Sequence, residues 1–334
     1  MIYWRPLVQS GEARPSGAVP LAGGPLWFAE VEKLQRGHAP QVLPASEAGA
    51  ALLALAAPRP DFAGLSMDTP RIMGILNVTP DSFSDAGQFF APDAAMAQAA
   101  AMAKAADILD IGGESTRPGA APVEIAQEIK RTAPVIAALR AAGLTLPISI
   151  DTRKAAVAEA ALNAGAGIIN DVAALTYDAA LGPLVAAKDA PVILMHHQGT
   201  PETMQANPLY DDVLLDVYDW LAERVAAAEA IGIARNRIAI DPGIGFGKTM
   251  AHNLALLRGL SLLHCLGCPI LLGASRKRFI GTIGGGSDGA GRMPGSIAVA
   301  LAGVAQGVQM IRVHDVAETR QALTLWQAIA GETR

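Results

Sequence analysis

Hydrogen-bonding and ionisable residues recur in this chain directly after short aliphatic runs. In order they are Asn77, Glu114 with Thr116 and Arg117, Asp151, Asn170, His196, Asp241, Ser275 with Lys277, and Arg312 with His314. Arg312 and His314 stand two apart, so on a strand they share one face. Arg offers a planar fork for phosphate oxygens, and Lys277 offers a compact point charge. Asp151, Asn170 and Asp241 add carboxylate and amide edges, and a carboxylate accepts two parallel N–H bonds from an aminopyrimidine ring. The set suits a flat, donor-rich heterocycle with a phosphate tail. Any single Asp or Asn after a strand can simply cap the next helix. Capping does not account for so many polar residues at equivalent places.

The aliphatic runs are the elements that must position these groups. They begin at Ile72, Ile108, Pro147, Gly167, Pro191, Ile238, Pro269 and Met310, and are short and often β-branched, as strands buried on both faces are. Helical periodicity fills 93–106, 123–142, 153–164, 211–231, 252–264, 294–307 and 316–330. Asp315, with Glu318 three residues on, reads as the N-cap of the last helix, and Gly331 as its stop. Eight strands alternating with helices over 71–331 predict an α/β fold, a (β/α)8 TIM barrel. An open doubly wound sheet would favour a glycine fingerprint after its first strand, and Asn77-Val78-Thr79-Pro80-Asp81 stands there instead. In a barrel the loops after the strands form the active face, and phosphate commonly binds after strands seven and eight. Residues 1–66 do not fit the repeat. They read as an N-terminal extension packed on or under the barrel, with a helix-like stretch near 46–57, and 67–334 read as the barrel.

Composition narrows the functional class. The net charge is −5, so no global field draws nucleic acid or an anionic membrane, and a bound anion must be held by local Arg and Lys. Half of the 334 residues are apolar, enough for a large core. Two cysteines, no secretory pattern at the N-terminus and no uninterrupted apolar span predict a cytoplasmic protein.

Several motifs fail on inspection. Gly243–Thr249 resembles a nucleotide-binding P-loop, but Pro242 occupies a glycine position, and Asp241 would set a carboxylate against the phosphates. Cys265 and Cys268 form a lone C-x-x-C before the seventh strand, away from the active face, and read as inert. His196 and His197 point to opposite faces of a strand, so both do not readily ligate one ion; His196 reads as support for the pocket. The glycines between 284 and 291 read as a linker.

The strand-end segments are similar to those of the dihydropteroate synthase family. They include Met73–Asp85 (MGILNVTPDSFSD), Asp110–Gly119 (DIGGESTRPG), Ser149–Thr152, Ile169–Asp171, Leu194-Met195-His196, Asp241–Lys248 (DPGIGFGK), Ser275-Arg276-Lys277 and Ile311–Asp315, in matching order over roughly 71–330. Ile244 stands where many members have Phe, and His197 where Met is expected. The resemblance implies a transferase that joins 4-aminobenzoate to a pterin pyrophosphate, and a homodimer through the barrel helices. It implies Mg2+ on Asn77, with the substrate pyrophosphate completing the site. It implies a pterin pocket of Asp151, Asn170, Asp241 and Lys277, with Met195 among the lining residues, and anchoring of the pyrophosphate by Arg312 and His314. It also implies catalytic roles for Asp151, Lys277, Arg312 and His314. Phe83 on the first loop, Thr116, Arg117 and Pro118 on the second, and Phe246, Ser275 and Arg276 would surround the aminobenzoate.

Two rival readings share the pterin pocket. A methyltetrahydrofolate-dependent methyltransferase barrel needs no pyrophosphate site, and Arg117, Lys277, Arg312 and His314 together favour the synthase. A non-catalytic pterin-binding paralogue should have lost part of the anchor set, and no member of that set is missing.

Overall fold

The computed structural model describes residues 1–79, 92–115, 120–199, 203–286 and 288–331, with side chains from 94 in the second segment. Eight parallel strands carry the architecture: β1 (Arg71–Asn77), β2 (Ile108–Gly112), β3 (Ile148–Asp151), β4 (Ile168–Asp171), β5 (Val192–Met195), β6 (Ile238–Asp241), β7 (Leu271–Leu272) and β8 (Met310–Val313). Their order is β6-β5-β4-β3-β2-β1-β8-β7. A parallel bridge from Ile240 to Ile270 joins the two ends and closes the ring. The helices α1 (Pro92–Met102), α2 (Ile125–Ala141), α3 (Ala155–Ala164), α4 (Leu181–Ala187), α5 (Val213–Ala230), α6 (Met250–Arg258), α7 (Arg278–Gly284), α8 (Met293–Val304) and α9 (Val316–Ile329) alternate with them. This is the (β/α)8 barrel expected from the sequence. No helix among the described residues is long and apolar enough to cross a membrane.

Local departures have local causes. The helix expected over 252–264 ends at Arg258 and tightens into a 3-10 turn, Leu260–Leu266. That turn serves the extension: Ser261 Oγ donates to the Pro6 carbonyl, and Arg59 donates to the His264 carbonyl at 2.8 Å. Asp315 does precede α9, but its side chain caps nothing, because both carboxylate oxygens are taken by Arg276. In the glycine-rich 284–291 segment α7 reaches Gly284, and Ala290–Arg292 forms a short 3-10 turn.

The extension is mostly β structure. Tyr3–Pro6, Glu30–Leu34 and Gln41–Pro44 form an antiparallel sheet, and the helix-like stretch near 46–57 is a 3-10 turn, Ala45–Ala48, followed by a helix, Ala51–Ala56. Tyr3 Oη donates to Asp219 on α5, and Arg36 pairs with Asp216 and Asp219 of the same helix. Farther on, Phe62 and Met67 pack with Met73, Ile108, Ile168, Ile193, Ala239, Leu271 and Met310. Those partners are the first inward residues of the strands, so Phe62 and Met67 plug the barrel's N-terminal end. Phe62→Ala should therefore cost about 3–5 kcal/mol of stability, the usual penalty for emptying a buried aromatic site. Deleting 1–66 should lower the melting temperature more than it lowers turnover per folded molecule. A truncated protein that melts like the full chain but has lost turnover would contradict this.

Candidate active site

Side chains along a strand alternate between faces, so the inward set continues two residues beyond the plug. On β2 this leads from Ile108 to Asp110 and Gly112, on β4 from Ile168 to Asn170, on β6 from Ala239 to Asp241, and on β8 from Met310 to Arg312. The barrel interior thus turns from aliphatic to charged within one pleat. Arg312 Nε donates to Asp110 Oδ2 at 2.6 Å, and its Nη2 donates to Asp151 Oδ2 at 2.8 Å. Asn170 Nδ2 also donates to Asp110 Oδ2, at 3.2 Å. Asp110 is absent from the strand-end set because it stands in the middle of β2, two residues before the strand ends. The period-2 pattern through Ile108 and Gly112 was the signal for it.

This floor is left incomplete. Asp110 Oδ1, Asp151 Oδ1 and Ser149 Oγ are buried with no hydrogen-bond partner. Buried polar atoms normally find partners, so the two orphan carboxylate oxygens on neighbouring strands suit a ligand that donates N–H groups. Burial pushes the Asp151 carboxyl up to about 7, against the pull of the Arg312 guanidinium, and Asp110 pushes it the same way as burial.

The rim above the floor is set by register. Asn77 pairs with Gly112, and Gly112 pairs with Asp151. Gly112 has no side chain, so Asn77 and Asp151 face each other across it: a β-carbon there would lie 3.6 Å from Asn77 Oδ1 and 3.8 Å from Asp151 Oδ2. Opposite, Asp241 Oδ1 accepts the Gly243 N–H at 2.7 Å. Gly243 has φ +65°, and a β-carbon there would come within 1.9 Å of the His196 carbonyl, so only glycine fits the turn. Burial pushes the Asp241 carboxyl up to about 6, opposed by the Gly243 N–H and by Lys277 and Arg312. Lys277, the residue before α7, holds its ammonium 4.1 Å from the centre of the Phe246 ring.

The residues after β7 and β8 meet each other. Ser275 Oγ lies 3.0 Å from His314 Nδ1 and accepts the His314 backbone N–H. Arg276 adopts a left-handed backbone, φ 59°, held by its pair with Asp315 and by Ser296 Oγ, which accepts the Arg276 N–H. The structure therefore gathers Asn77, Asp151, Asn170, Asp241, Lys277, Phe246, Ser275, Arg276, Arg312 and His314 at strand ends or in the loops that follow, with buried Met195 beside the Gly243 turn. Phe83, Thr116, Arg117 and Pro118 lie outside the described residues.

Glu114 behaves differently from the rest of the strand-end set. Its carboxylate accepts the Val123 N–H and pairs with Lys154 at 3.1 Å, and Lys154 also holds Glu128 at 2.7 Å. It braces the segment between β2 and α2. The rings of His196 and His197 both meet Trp220 edge-on rather than pointing to opposite faces, and His196 also meets the ammonium of Lys248.

Comparison with known proteins agrees with this geometry. The sequence model of the family described as "Pterin binding enzyme" matches residues 73–314. Dihydropteroate synthase from Neisseria meningitidis serogroup C is 48% identical over 269 residues, 79% of this chain and 94% of the relative. The Xanthomonas albilineans dihydropteroate synthase solved with 4-aminobenzoic acid has TM-score 0.76 and 49% identity, covering 81% of this chain and 98% of that one. The same enzyme in complex with 7,8-dihydropteroate has TM-score 0.74 and 46% identity, covering 81% of this chain and 98% of that one. A closed parallel barrel with a charged floor, and likeness to dihydropteroate synthases over almost their whole length, lead to one assignment: the chain belongs to the pterin-binding enzyme family, among the dihydropteroate synthases.

Proposed function

We propose that this pocket joins 6-hydroxymethyl-7,8-dihydropterin pyrophosphate to 4-aminobenzoate, giving 7,8-dihydropteroate and pyrophosphate, and that its residues divide the work as follows. The observation that carries the division is the pair of buried carboxylate oxygens without partners, Asp110 Oδ1 and Asp151 Oδ1, beside Arg312 and Asn170. They suit the N–H edge of an aminopyrimidine ring, and Asp241 suits a second donor edge. Lys277 and Asn170 fix the ring's remaining polar atoms.

The reaction breaks the C–O bond to pyrophosphate and forms a bond from the amine nitrogen to the methylene carbon, with the amine losing one proton. Positive charge that builds on the pterin as the C–O bond breaks is stabilised by Asp151. Negative charge that builds on the leaving group is met by His314 and by the part of Arg312 that stays open, about 20% of its side-chain surface. Phe246, Ser275 and Arg276 line the aminobenzoate side, and Thr116, Arg117, Pro118 and Phe83 complete it.

Mg2+ fits this donor set only as a partner of the diphosphate. Among the described residues no three His, Cys, Asp or Glu are grouped to hold a metal. Asn77 Oδ1 beside the Gly112 gap is one hard oxygen, and Mg2+ is commonly held by few protein oxygens plus substrate phosphates. When bound, the ion supplies positive charge to the departing diphosphate. A homodimer through the outer helices belongs to the same reading; Ile283, Leu325 and Ile329 are exposed apolar side chains on α7 and α9 that such an interface would cover. So does a cytoplasmic setting.

The decisive experiment measures pyrophosphate release and dihydropteroate formation by the purified protein, with and without 4-aminobenzoate. Aminobenzoate-dependent formation of both is expected. Pterin binding without turnover would favour the non-catalytic paralogue, and methyl transfer from methyltetrahydrofolate would favour the methyltransferase.

A further inference from the structure

Behind the Phe246 ring lies a buried cation with an unusual set of partners. Lys248 is 2% exposed, and among the described residues no carboxylate lies within ion-pair distance of it. Its ammonium instead donates to the Phe246 carbonyl at 2.9 Å and lies 2.8 Å from His196 Nδ1. A buried ammonium with no ion-pair partner is costly: burial pushes Lys248 down to about 7, with Asp241 pulling it back up, so its retention calls for a purpose. The charged and titratable groups around it are Asp241 on β6, Lys277 after β7, His196 and His197 after β5, and His252 on α6. Burial pushes the His196 ring down to about 2, so it stays neutral and its Nδ1 accepts from the ammonium.

These contacts converge on one turn. His196 N–H donates to the Asp241 carbonyl, Asp241 Oδ1 accepts from Gly243, and Phe246 N–H closes the turn onto the Gly243 carbonyl at 3.1 Å. Tyr210 Oη adds a bond to the Gly247 carbonyl at 2.8 Å. The turn carries Asp241 at one end and Phe246 near the other, and Phe246 packs on Lys277. We propose that Lys248 is a positioning residue: its ammonium ties Phe246 and His196 together, holds the Asp241–Phe246 turn in its substrate-facing shape, and adds to the positive charge that Lys277 and Arg312 place around Asp241. The inference rests on the reading of Asp241 and Phe246 as substrate contacts, and neither Lys248 nor Tyr210 faces the pocket in that reading.

The test compares Lys248→Met, Lys248→Arg and Tyr210→Phe, measuring both KM values, kcat, melting temperature and the pH dependence of pterin affinity. Lys248→Met should raise the KM for 4-aminobenzoate about tenfold, the worth of one charged buried hydrogen bond. It should also move the acid limb of pterin binding to higher pH, because Lys248 is one of the cations, after Lys277 and Arg312, that hold the Asp241 carboxyl down. Lys248→Arg keeps the charge and should leave that limb in place. Tyr210→Phe should raise the aminobenzoate KM about threefold without moving the limb. If Lys248→Met yields no folded protein, Lys248→Arg and Tyr210→Phe carry the test, and an unchanged aminobenzoate KM in Tyr210→Phe overturns the proposal. A lower melting temperature with both KM values and the acid limb unchanged also overturns it, since a purely structural brace behaves that way. Absence of aminobenzoate-dependent turnover in the unsubstituted protein would instead remove the underlying reading of the site.

Discussion

Arg312→Met is expected to lower turnover by about a hundredfold to a thousandfold, the usual effect of removing one preorganised donor to developing charge. The structure adds a second consequence. Arg312 bridges Asp110 and Asp151, both of which are buried. Without the guanidinium, two neighbouring buried carboxylates are left without the cation between them. Removing one partner of a buried ion pair commonly costs about 3–5 kcal/mol, because the charge left behind is unpaired. The variant should therefore melt earlier, and the loss should be smaller in acid, where protonating Asp151 relieves the repulsion. Affinity should fall for a pterin without phosphates as well as for the pyrophosphate, since the floor that meets the ring is itself disturbed. Calorimetry with both ligands and melting curves across pH decide the matter. Loss confined to the pyrophosphate ligand, with an unchanged melting temperature, would mean that Arg312 serves the anion alone.

That double duty marks where the sequence stops being legible. The barrel was readable because its strands are short, largely aliphatic runs buried on both faces, and seven of the barrel helices among the described residues fall on stretches with helical periodicity. α4 was not, since Gly182 and Pro183 near its start mask the pattern. The extension was not readable as β structure because its strands are two to five residues long and interrupted by Pro and Gly. At the site, strand-end position correctly gathered Asp151, Asn170, Asp241, Lys277 and Arg312 into one barrel end. It did not separate partners from ligands. Glu114 occupies a strand-end place like Asp151, yet it turns outward to Lys154, and that choice depends on α2 and α3 arriving beside it. Asp315 looked like a helix cap from its spacing to Glu318, and a distant arginine outcompeted the local backbone. Lys248 sat inside a motif read for its glycines, and its burial is a property of the packed loops after β5 and β6.

Asp241→Asn should make the protein more stable and a worse binder of pterin at the same time. The folded carboxyl is pushed from 3.8 up to about 6, mainly by burial. A carboxyl whose folded value is raised binds its proton more tightly in the folded chain. Its contribution to stability is present below the unfolded value and is lost as pH rises through the folded value, between about 4 and about 6. At neutral pH the buried carboxylate is thus a cost to folding, and an asparagine removes it while its amide oxygen still accepts the Gly243 N–H. The gain in melting temperature should be visible at pH 7 to 8 and vanish below about pH 4. Binding moves the other way. A carboxylate accepts two ring N–H groups, whereas an amide presents one of them with another donor. A ring donor left unpaired in a buried site costs about 1–3 kcal/mol, roughly tenfold to a hundredfold in affinity. Wild-type affinity should itself weaken as pH falls through about 6, where the carboxyl takes its proton, and the variant should lose that dependence. Melting curves at two pH values, paired with pterin titrations on the same protein, give both signs. A variant that melts lower at pH 8, or binds pterin with unchanged affinity, would remove Asp241 from the pocket and make its burial a matter of folding alone.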